Sequence, residues 1–383
     1  MNWRTHAATL AERVTRPSSR WHQPIAGTPR HVFAPRWWQY IPDRGWTLRD
    51  GAAHPDLWQR LYQDRTFVTR IGPLHADHAA EDDHPTGLPT SSSTLPTLIV
   101  AMYRHALIDD GNDVLCVTGT GYGTALLTRR LGEGHVTSVD VDPHLVDAAR
   151  GRLAFVGAAP TMLVCDITGP LPGRHDRIVS TVGLPGIPSS WLANLKEGGR
   201  LVTNLAGTGL IIAADKTPDG GAKGQVLPDR AGFMATRTGD DYPPSPDTGP
   251  AWTADADDVT TGRYPVVRVD ESWELRSALA LAAPGIEHGY DEDTDGVRTA
   301  VMVHEDGSWA RATGRRGEAP TVHQAGPRRL WDALDDIRHR WLSDGGLPEY
   351  GAGVTIAPDG TMNISRGRWS TTIPPAPQST TAV

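Results

Sequence analysis

The chain has 383 residues, 38% of them hydrophobic and 21% charged, with a net charge of −8. That length exceeds one ordinary domain, no apolar run reaches the roughly 18 residues a membrane span needs, and the start, Met-Asn-Trp-Arg-Thr-His, has no apolar signal core. The acidic balance argues against a general nucleic-acid binder, and the expectation is a cytoplasmic protein with neither nucleic acid nor membrane as partner.

Residues 1–85 read as an irregular, tryptophan-rich cap region. Leu10 and Val14 can share one short helix face. Trp21, Trp37, Trp38, Trp46 and Trp58 are expected to anchor loops onto the core; a bolder reading lets some of them line a peptide groove. His75-Ala76-Asp77-His78, with His84 after it, is the one metal-like cluster. Zinc wants three or four ligands in a defined geometry, and nothing nearby completes the set, so no metal is expected. Pro85–Pro96 reads as a loop by composition, or as a hydroxyl-rich N-cap zone ahead of a helix over Thr97–Leu107, where free N–H groups and hydroxyls can hold a carboxylate.

Val114–Arg130 is the organising stretch. A short apolar run, Val114 to Val117, meets Gly119, Gly121 and Gly123, and a helical pattern follows through Leu127 and Leu131. Strand, tight glycine turn and helix bring bare backbone and free N–H groups to an anionic ligand. Gly-x-Gly-x-Gly alone suits nucleotides, flavins or S-adenosylmethionine. A second strand over His135–Val141 carries Asp140 about 20 residues past the glycines, where a ribose diol is held, and Asp142-Pro143 then caps and opens a helix. The spacing is not the dinucleotide Gly-x-Gly-x-x-Gly, and no phosphate-loop Gly-Lys-Ser/Thr is present.

Further on, Thr161–Cys165 reads as a strand ending in Asp166, an acid placed to reach an adenine. Cys116 and Cys165 both fall on expected buried strands and read as inert core thiols. Arg177–Thr181 and Arg200–Asn204 read as strands, and Leu210–Ala214 with Gly232–Ala235 as a closing antiparallel pair around Asp219-Gly220-Gly221. A Pro-, Asp- and Gly-rich break over Asp240–Ala256 precedes an added region. There Thr299–Val303 and Ser308–Ala312 form a hairpin around Asp306-Gly307. Leu330, Leu334, Ile337 and Trp341 mark a helix stopped by Gly345-Gly346, and Val354–Ile356 and Met362–Ile364 flank Pro358-Asp359-Gly360. The tail Pro374–Val383 reads as disordered.

Thr118-Gly119-Thr120-Gly121-Tyr122-Gly123-Thr124-Ala125-Leu126-Leu127 resembles the S-adenosylmethionine loop of the protein-L-isoaspartate O-methyltransferase family. Thr28-Pro29-Arg30-His31-Val32-Phe33-Ala34-Pro35, Ser93-Thr94-Leu95-Pro96, Asp176-Arg177-Ile178-Val179 and Leu195-Lys196-Glu197-Gly198-Gly199-Arg200-Leu201-Val202 carry the same resemblance over roughly residues 20 to 238. One feature departs: Leu115-Cys116-Val117 leaves no carboxylate just before the glycine turn, so one family contact to the cofactor has no counterpart. The resemblance implies a doubly wound Rossmann-like α/β methyltransferase dependent on S-adenosylmethionine, with an N-terminal cap at 1–85, a methyltransferase domain at 86–238, an α+β peptide-recognition domain at 239–375 and a disordered tail at 376–383. It implies that Thr118, Gly119, Thr120, Gly121, Tyr122, Asp140 and Asp166 hold the cofactor, and that Ser93 and Thr94 orient an acceptor carboxylate.

Gly326-Pro327-Arg328-Arg329-Leu330-Trp331 and Val354-Thr355-Ile356-Ala357-Pro358-Asp359-Gly360 look like the extended subset of that family that accompanies ATP-grasp peptide ligases in graspetide maturation. This implies methylation of an aspartate in a constrained ribosomal peptide, leading to aspartimide or isoaspartate, with a peptide substrate and an ATP-grasp ligase as partners. The alternatives are a general isoaspartyl repair methyltransferase and a non-catalytic protein that binds S-adenosylmethionine.

Overall fold

The computed structural model describes residues 2–51 and 55–377, with the side chains of residues 55 and 56 outside the description. Its centre is a ten-stranded sheet that runs, from one edge, Trp369–Ile373, Met362–Arg366, Gly353–Ile356, Ala222–Arg230, Leu210–Lys216, Leu195–Leu205, His175–Leu184, Val114–Val117, Val136–Asp140 and Thr161–Val164. The last five pair in parallel; every pairing before them is antiparallel. The parallel strands are short and apolar because helices cover both faces. Ile99, Tyr103, Leu126, Val146 and Leu153 pack on one face, and Leu192, Trp191 and Ile178 on the other. Strand order reverses at Val114–Val117, whose neighbours are Val136–Asp140 on one side and His175–Leu184 on the other. Such a reversal opens a crevice at the carboxyl ends of the strands. The doubly wound α/β class read from the sequence is the one observed.

The N-terminal region is more regular than its composition suggests. Leu10 lies buried on the helix Trp3–Val14. Arg36–Ile41, Gly45–Asp50, Phe67–Ile71, Leu74–His75 and Pro89–Ser93 form a second sheet. Trp37 and Trp38 therefore sit on a strand and not on a loop, and both are buried, as is Trp21. Pro89–Ser93, read above as loop or N-cap zone, is a strand against Phe67–Ile71. Its small hydroxyl side chains are met locally: Thr90 Oγ1 donates to the Gly72 carbonyl (2.7 Å), and Thr69 Oγ1 donates to Ser91 Oγ (3.2 Å). The following helix, Pro96–His105, has Leu95 at its N-cap with no side-chain cap bond.

Two later segments also depart from expectation. Leu210–Lys216 pairs with Ala222–Arg230, not with Gly232–Ala235. Residues 231–237 instead cross the ends of the parallel strands. They are held by Gly183, whose N–H donates to the Met234 carbonyl (2.7 Å) and whose carbonyl accepts from Thr236 N–H (2.9 Å), and by Asn204, whose Nδ2 donates to the Ala231 carbonyl (2.8 Å). The stretch 239–375 divides its strands between two sheets. Asp258–Thr261, Thr321–Ala325, Trp309–Arg315, Val297–Val303 and Glu287–Glu292 build a separate five-stranded sheet. The helices Trp273–Ala282 and Leu330–Asp344 cover it through Leu275, Leu279, Trp331 and Leu334. Gly353–Ile373 then returns to the central sheet. Residues 374–377 are ordered against the core, with Ala376 buried; the rest of the expected disordered tail, 378–383, lies outside the described residues. Among the described residues no helix is long and apolar enough to cross a membrane.

Candidate active site

The glycine turn begins where the Val114–Val117 strand ends. Gly119 and Gly121 have φ of +49° and +88°, values that a side chain would strain. Gly121 is also pressed against the Ala149 Cβ, which would lie 2.9 Å from an added Cβ. The helix Tyr122–Leu131 follows with Gly121 at its N-cap and no side-chain cap bond, which leaves its first N–H groups available. Two hydroxyls fasten the turn from behind: Thr118 Oγ1 and Thr124 Oγ1 each lie 2.8 Å from Ser138 Oγ.

Asp140 closes the turn from the neighbouring strand. Its Oδ2 accepts from Gly119 N–H (2.9 Å) and its Oδ1 from Asp142 N–H (3.1 Å). A carboxylate offers about four acceptor positions, so the remaining ones face the crevice. Burial pushes the Asp140 carboxyl up to about 6, against the opposing pull of those two backbone N–H groups. Asp166 is held by Thr168, whose N–H and Oγ1 both donate to Oδ1 (2.8 and 2.7 Å).

A cavity of about 730 Å³ occupies the crevice. Gly119, Asp140 and Asp166 line it from one side and Thr94 from another, with Ser91 and Ser92 beside Thr94. Ser93, Thr118, Thr120, Gly121 and Tyr122 do not line it. Ser93 is buried behind the wall and its Oγ has no hydrogen-bond partner. Tyr122 lies buried beneath the turn, its ring 5.9 Å from that of Phe33, and burial pushes its phenol up to about 12.

Residues that the sequence reading left without a role complete the site. Arg30, fully buried, donates from Nη1 to the Gln63 carbonyl (2.6 Å) and from Nη2 to the carbonyls of Arg65 (2.7 Å) and Thr94 (3.1 Å). Its guanidinium also stands 4.9 Å from the Phe67 ring and 5.4 Å from the Tyr122 ring. It thus ties the Thr94 loop to the helix behind the glycine turn. A charged residue inside the phrase Thr28-Pro29-Arg30-His31-Val32-Phe33 was the signal available for it. Asp142, expected only as a helix N-cap, does accept from His144 N–H (3.0 Å). Its Oδ2 also lies 3.0 Å from His75 Nε2, 3.3 Å from Arg237 Nη2 and 3.5 Å from Arg70 Nε. Burial alone would raise its carboxyl; the His75 hydrogen bond and the charges of His75, Arg70 and Arg237 outweigh that and hold it well below the usual carboxylate range. His75 is therefore engaged with Asp142, and Asp77 with Arg152 (2.6 Å). Among the described residues no group of three His, Cys, Asp or Glu side chains could hold a metal ion. Val117, the last residue before the glycine turn's Thr118, lines the cavity.

A reversed strand order, a glycine turn at the reversal and an acid ending the next strand define a Rossmann-like cofactor-binding fold. The family model for protein-L-isoaspartate(D-aspartate) O-methyltransferase matches residues 75–227. The chain is 31% identical over 165 residues to the protein-L-isoaspartate O-methyltransferase of Ignicoccus hospitalis, an alignment covering 41% of this chain and 78% of that one. It is 31% identical over 148 residues to the enzyme of the same name from Thermotoga maritima, covering 36% of this chain. There the match spans 46% of the relative's own length. A solved protein-L-isoaspartate O-methyltransferase aligns over 96% of this chain and 98% of its own at 16% identity, with a TM-score of 0.48. The chain belongs to the protein-L-isoaspartate(D-aspartate) O-methyltransferase family.

Proposed function

We propose that this chain is an S-adenosylmethionine-dependent carboxyl O-methyltransferase acting on an aspartyl-type carboxylate within a peptide. The observation that carries the reading is the single cavity on which Gly119 and Asp140 face Thr94. The donor site fits the cofactor: Asp140 keeps free acceptor positions for a ribose diol, the glycine turn admits close approach, and Asp166 stands on the adenine side. S-adenosylmethionine, when bound, supplies an electrophilic methyl group on a sulfonium. The chain's own residues need provide no strong base, because an acceptor carboxylate is ionised at neutral pH, some three units above its ordinary value of about 3.9. Thr94 orients that carboxylate, Arg30 fixes the Thr94 backbone, and the segment 231–237 closes the cavity against water. Rate then comes from alignment in a site of low water content.

The acceptor in this proposal is an aspartate of a constrained ribosomal peptide, as in graspetide maturation beside an ATP-grasp ligase. The resemblance of the 326–331 and 354–360 phrases supports it, as does a cavity wall that takes Trp273 from the region after 238. In the product the methyl ester is attacked by the next backbone amide nitrogen. A C–N bond forms, the ester C–O bond breaks, and methanol leaves with the amide proton, giving the aspartimide. General isoaspartyl repair is the second reading, favoured by the names of the relatives above. The test is kcat/KM on three substrates: the cross-linked peptide, its linear precursor and a generic isoaspartyl peptide. Strong preference for the first is expected; equal rates on the generic peptide would select repair.

A further inference from the structure

We infer that the cavity beyond Thr94 is a subsite for an apolar or aromatic side chain adjacent to the acceptor carboxylate in the peptide, with the Trp273 indole as its platform. This rests on the methyltransferase reading above and adds the recognition element that nothing so far assigns. Among the described residues eight large apolar side chains are exposed, and Trp273, at 41%, is the one that lines the cavity. An exposed indole is common enough on a surface, but this one is held in place. A Cβ added at Gly209 would meet its ring at 2.5 Å, and one added at Gly232 at 2.9 Å. Neither glycine has a positive φ, so the backbone does not demand glycine there; the flat seat of the ring does.

The helix that carries the ring, Trp273–Ala282, is fastened to the same loops. Ser272 Oγ accepts from Leu275 N–H at its N-cap. Ser277 Oγ accepts from Gly209 N–H (2.9 Å). Glu274 pairs with Arg230. A ring seated on two backbones and anchored by its own helix presents a fixed face at low entropic cost.

Apolar side chains line the cavity together with Trp273. Leu98 and Ala101 of the helix Pro96–His105 line the cavity, as do Val14 and Phe233. That helix lies over the His175–Leu184 and Leu195–Leu205 strands, across the switch point from Asp140, and the apolar residues, Thr94 and the donor residues line one space. Arg104 is exposed, its side chain has no hydrogen bond or ion pair among the described residues, and it also lines the cavity. It suits a peptide that brings a carboxylate better than a lipid tail. Aromatic surface paired with an apolar side chain is how such a pocket discriminates between neighbours of a reacting group, by roughly tenfold to a few hundredfold.

The experiment uses the full-length protein, S-adenosylmethionine and a matched set of aspartyl and isoaspartyl peptides in which the residue on either side of the acceptor is Gly, Leu or Phe. The wild type is expected to favour Leu or Phe over Gly on one side by about tenfold in kcat/KM, mainly through KM. Trp273→Ala should reduce that ratio to about twofold or less, and Trp273→Phe should restore it, with the donor Kd and the melting temperature of Trp273→Phe equal to those of the wild type. A second variant, Ala101→Trp, fills the space from the helix Pro96–His105 and should raise KM for the Phe-flanked peptide more than for the Gly-flanked one, even should Trp273→Ala fail to fold. A flank preference that survives both Trp273→Ala and Ala101→Trp overturns the subsite. So does a wild type that methylates the peptides without regard to their flanks. A wild type that binds the donor and methylates none of them overturns the peptide methyltransferase reading itself, and the subsite with it.

Discussion

Asp140 and Asp142 stand two residues apart at the same corner of the sheet, and their surroundings drive them in opposite directions. Asp140 hydrogen-bonds to backbone N–H groups and lines the cavity, and burial outweighs those bonds and the charge of Arg237, so its carboxyl rises to about 6. Asp142 meets His75, Arg70 and Arg237, and their charge overrides burial. The first is an acceptor kept open for a ligand; the second is the anchor of a buried cation cluster that joins the N-terminal sheet, the central sheet and the segment 231–237. Two like residues, one turn of chain apart, thus divide binding from structure by what faces them and not by their type.

The largest effect should come from Asp142→Asn. It leaves Arg237 buried without a carboxylate partner, and Arg70, whose Nη1 already lacks a hydrogen-bond partner, with only the exposed Asp240 at 3.3 Å. The expected loss is about 3–5 kcal/mol, read as a lower urea midpoint at unchanged m. Its pH signature has a definite sign. The folded-state carboxyl of Asp142 lies below that of the unfolded chain, near 3.9. Its contribution is complete above about pH 4 and is lost as pH falls further, so acid unfolding should be shallower in the variant. A wild-type stability equal to that of Asp142→Asn at neutral pH would erase the contrast between the two acids.

Next comes Asp140→Asn. Two charge-assisted hydrogen bonds to a ribose, each worth roughly 1.5–3 kcal/mol, should be lost, and calorimetry should find S-adenosylmethionine bound at least a hundredfold more weakly. Because the wild-type carboxyl titrates near 6, donor affinity should fall about tenfold per pH unit below that value and be flat in the variant. In stability the sign is opposite to that of Asp142. The folded value lies above the unfolded one, so ionisation of Asp140 opposes folding as pH rises from about 4 through 6. Unchanged donor affinity in Asp140→Asn would end the cofactor assignment.

Two smaller effects divide the Ser93-Thr94 pair. Thr94→Val removes the hydroxyl on the cavity wall and should lower kcat/KM for methyl transfer by about tenfold with donor affinity intact; a parallel collapse of donor affinity would place Thr94 on the wrong side of the cavity. Ser93→Ala removes a buried hydroxyl that bonds to nothing, so stability and turnover should stay within about 0.5 kcal/mol of the wild type. A large loss there would return Ser93 to the site.

Local signals were legible in the sequence and distant pairings were not. The apolar run, three glycines and Asp140 are contiguous or nearly so, and their geometry follows from backbone dihedrals and strand polarity. The hairpin at Asp306-Gly307 and the helix stopped by Gly345 likewise obey short-range rules. Pro89–Ser93 misled because its Ser and Thr residues say loop, while its partner strand, Phe67–Ile71, supplies the pairing that makes it a strand. The role of Arg30 depends on carbonyls from Gln63 to Thr94 gathering around it. Asp142 was visible as a cap, but its cations come from residues 70, 75 and 237.

The return of Gly353–Ile373 to the central sheet bears on how the chain is made. Ala222–Arg230 finds its outer partner, Gly353–Ile356, only after the whole five-stranded unit between them has been synthesised. During that interval its outer side is an unpaired edge of the kind that recruits foreign strands, and the pairing that covers it is slow because the partners are distant in sequence. A nascent chain that stalls inside the added region would therefore carry a finished donor site beside an open, adhesive edge. Rapid folding of residues 258–347, which draws the two partners together, is what shortens that exposure.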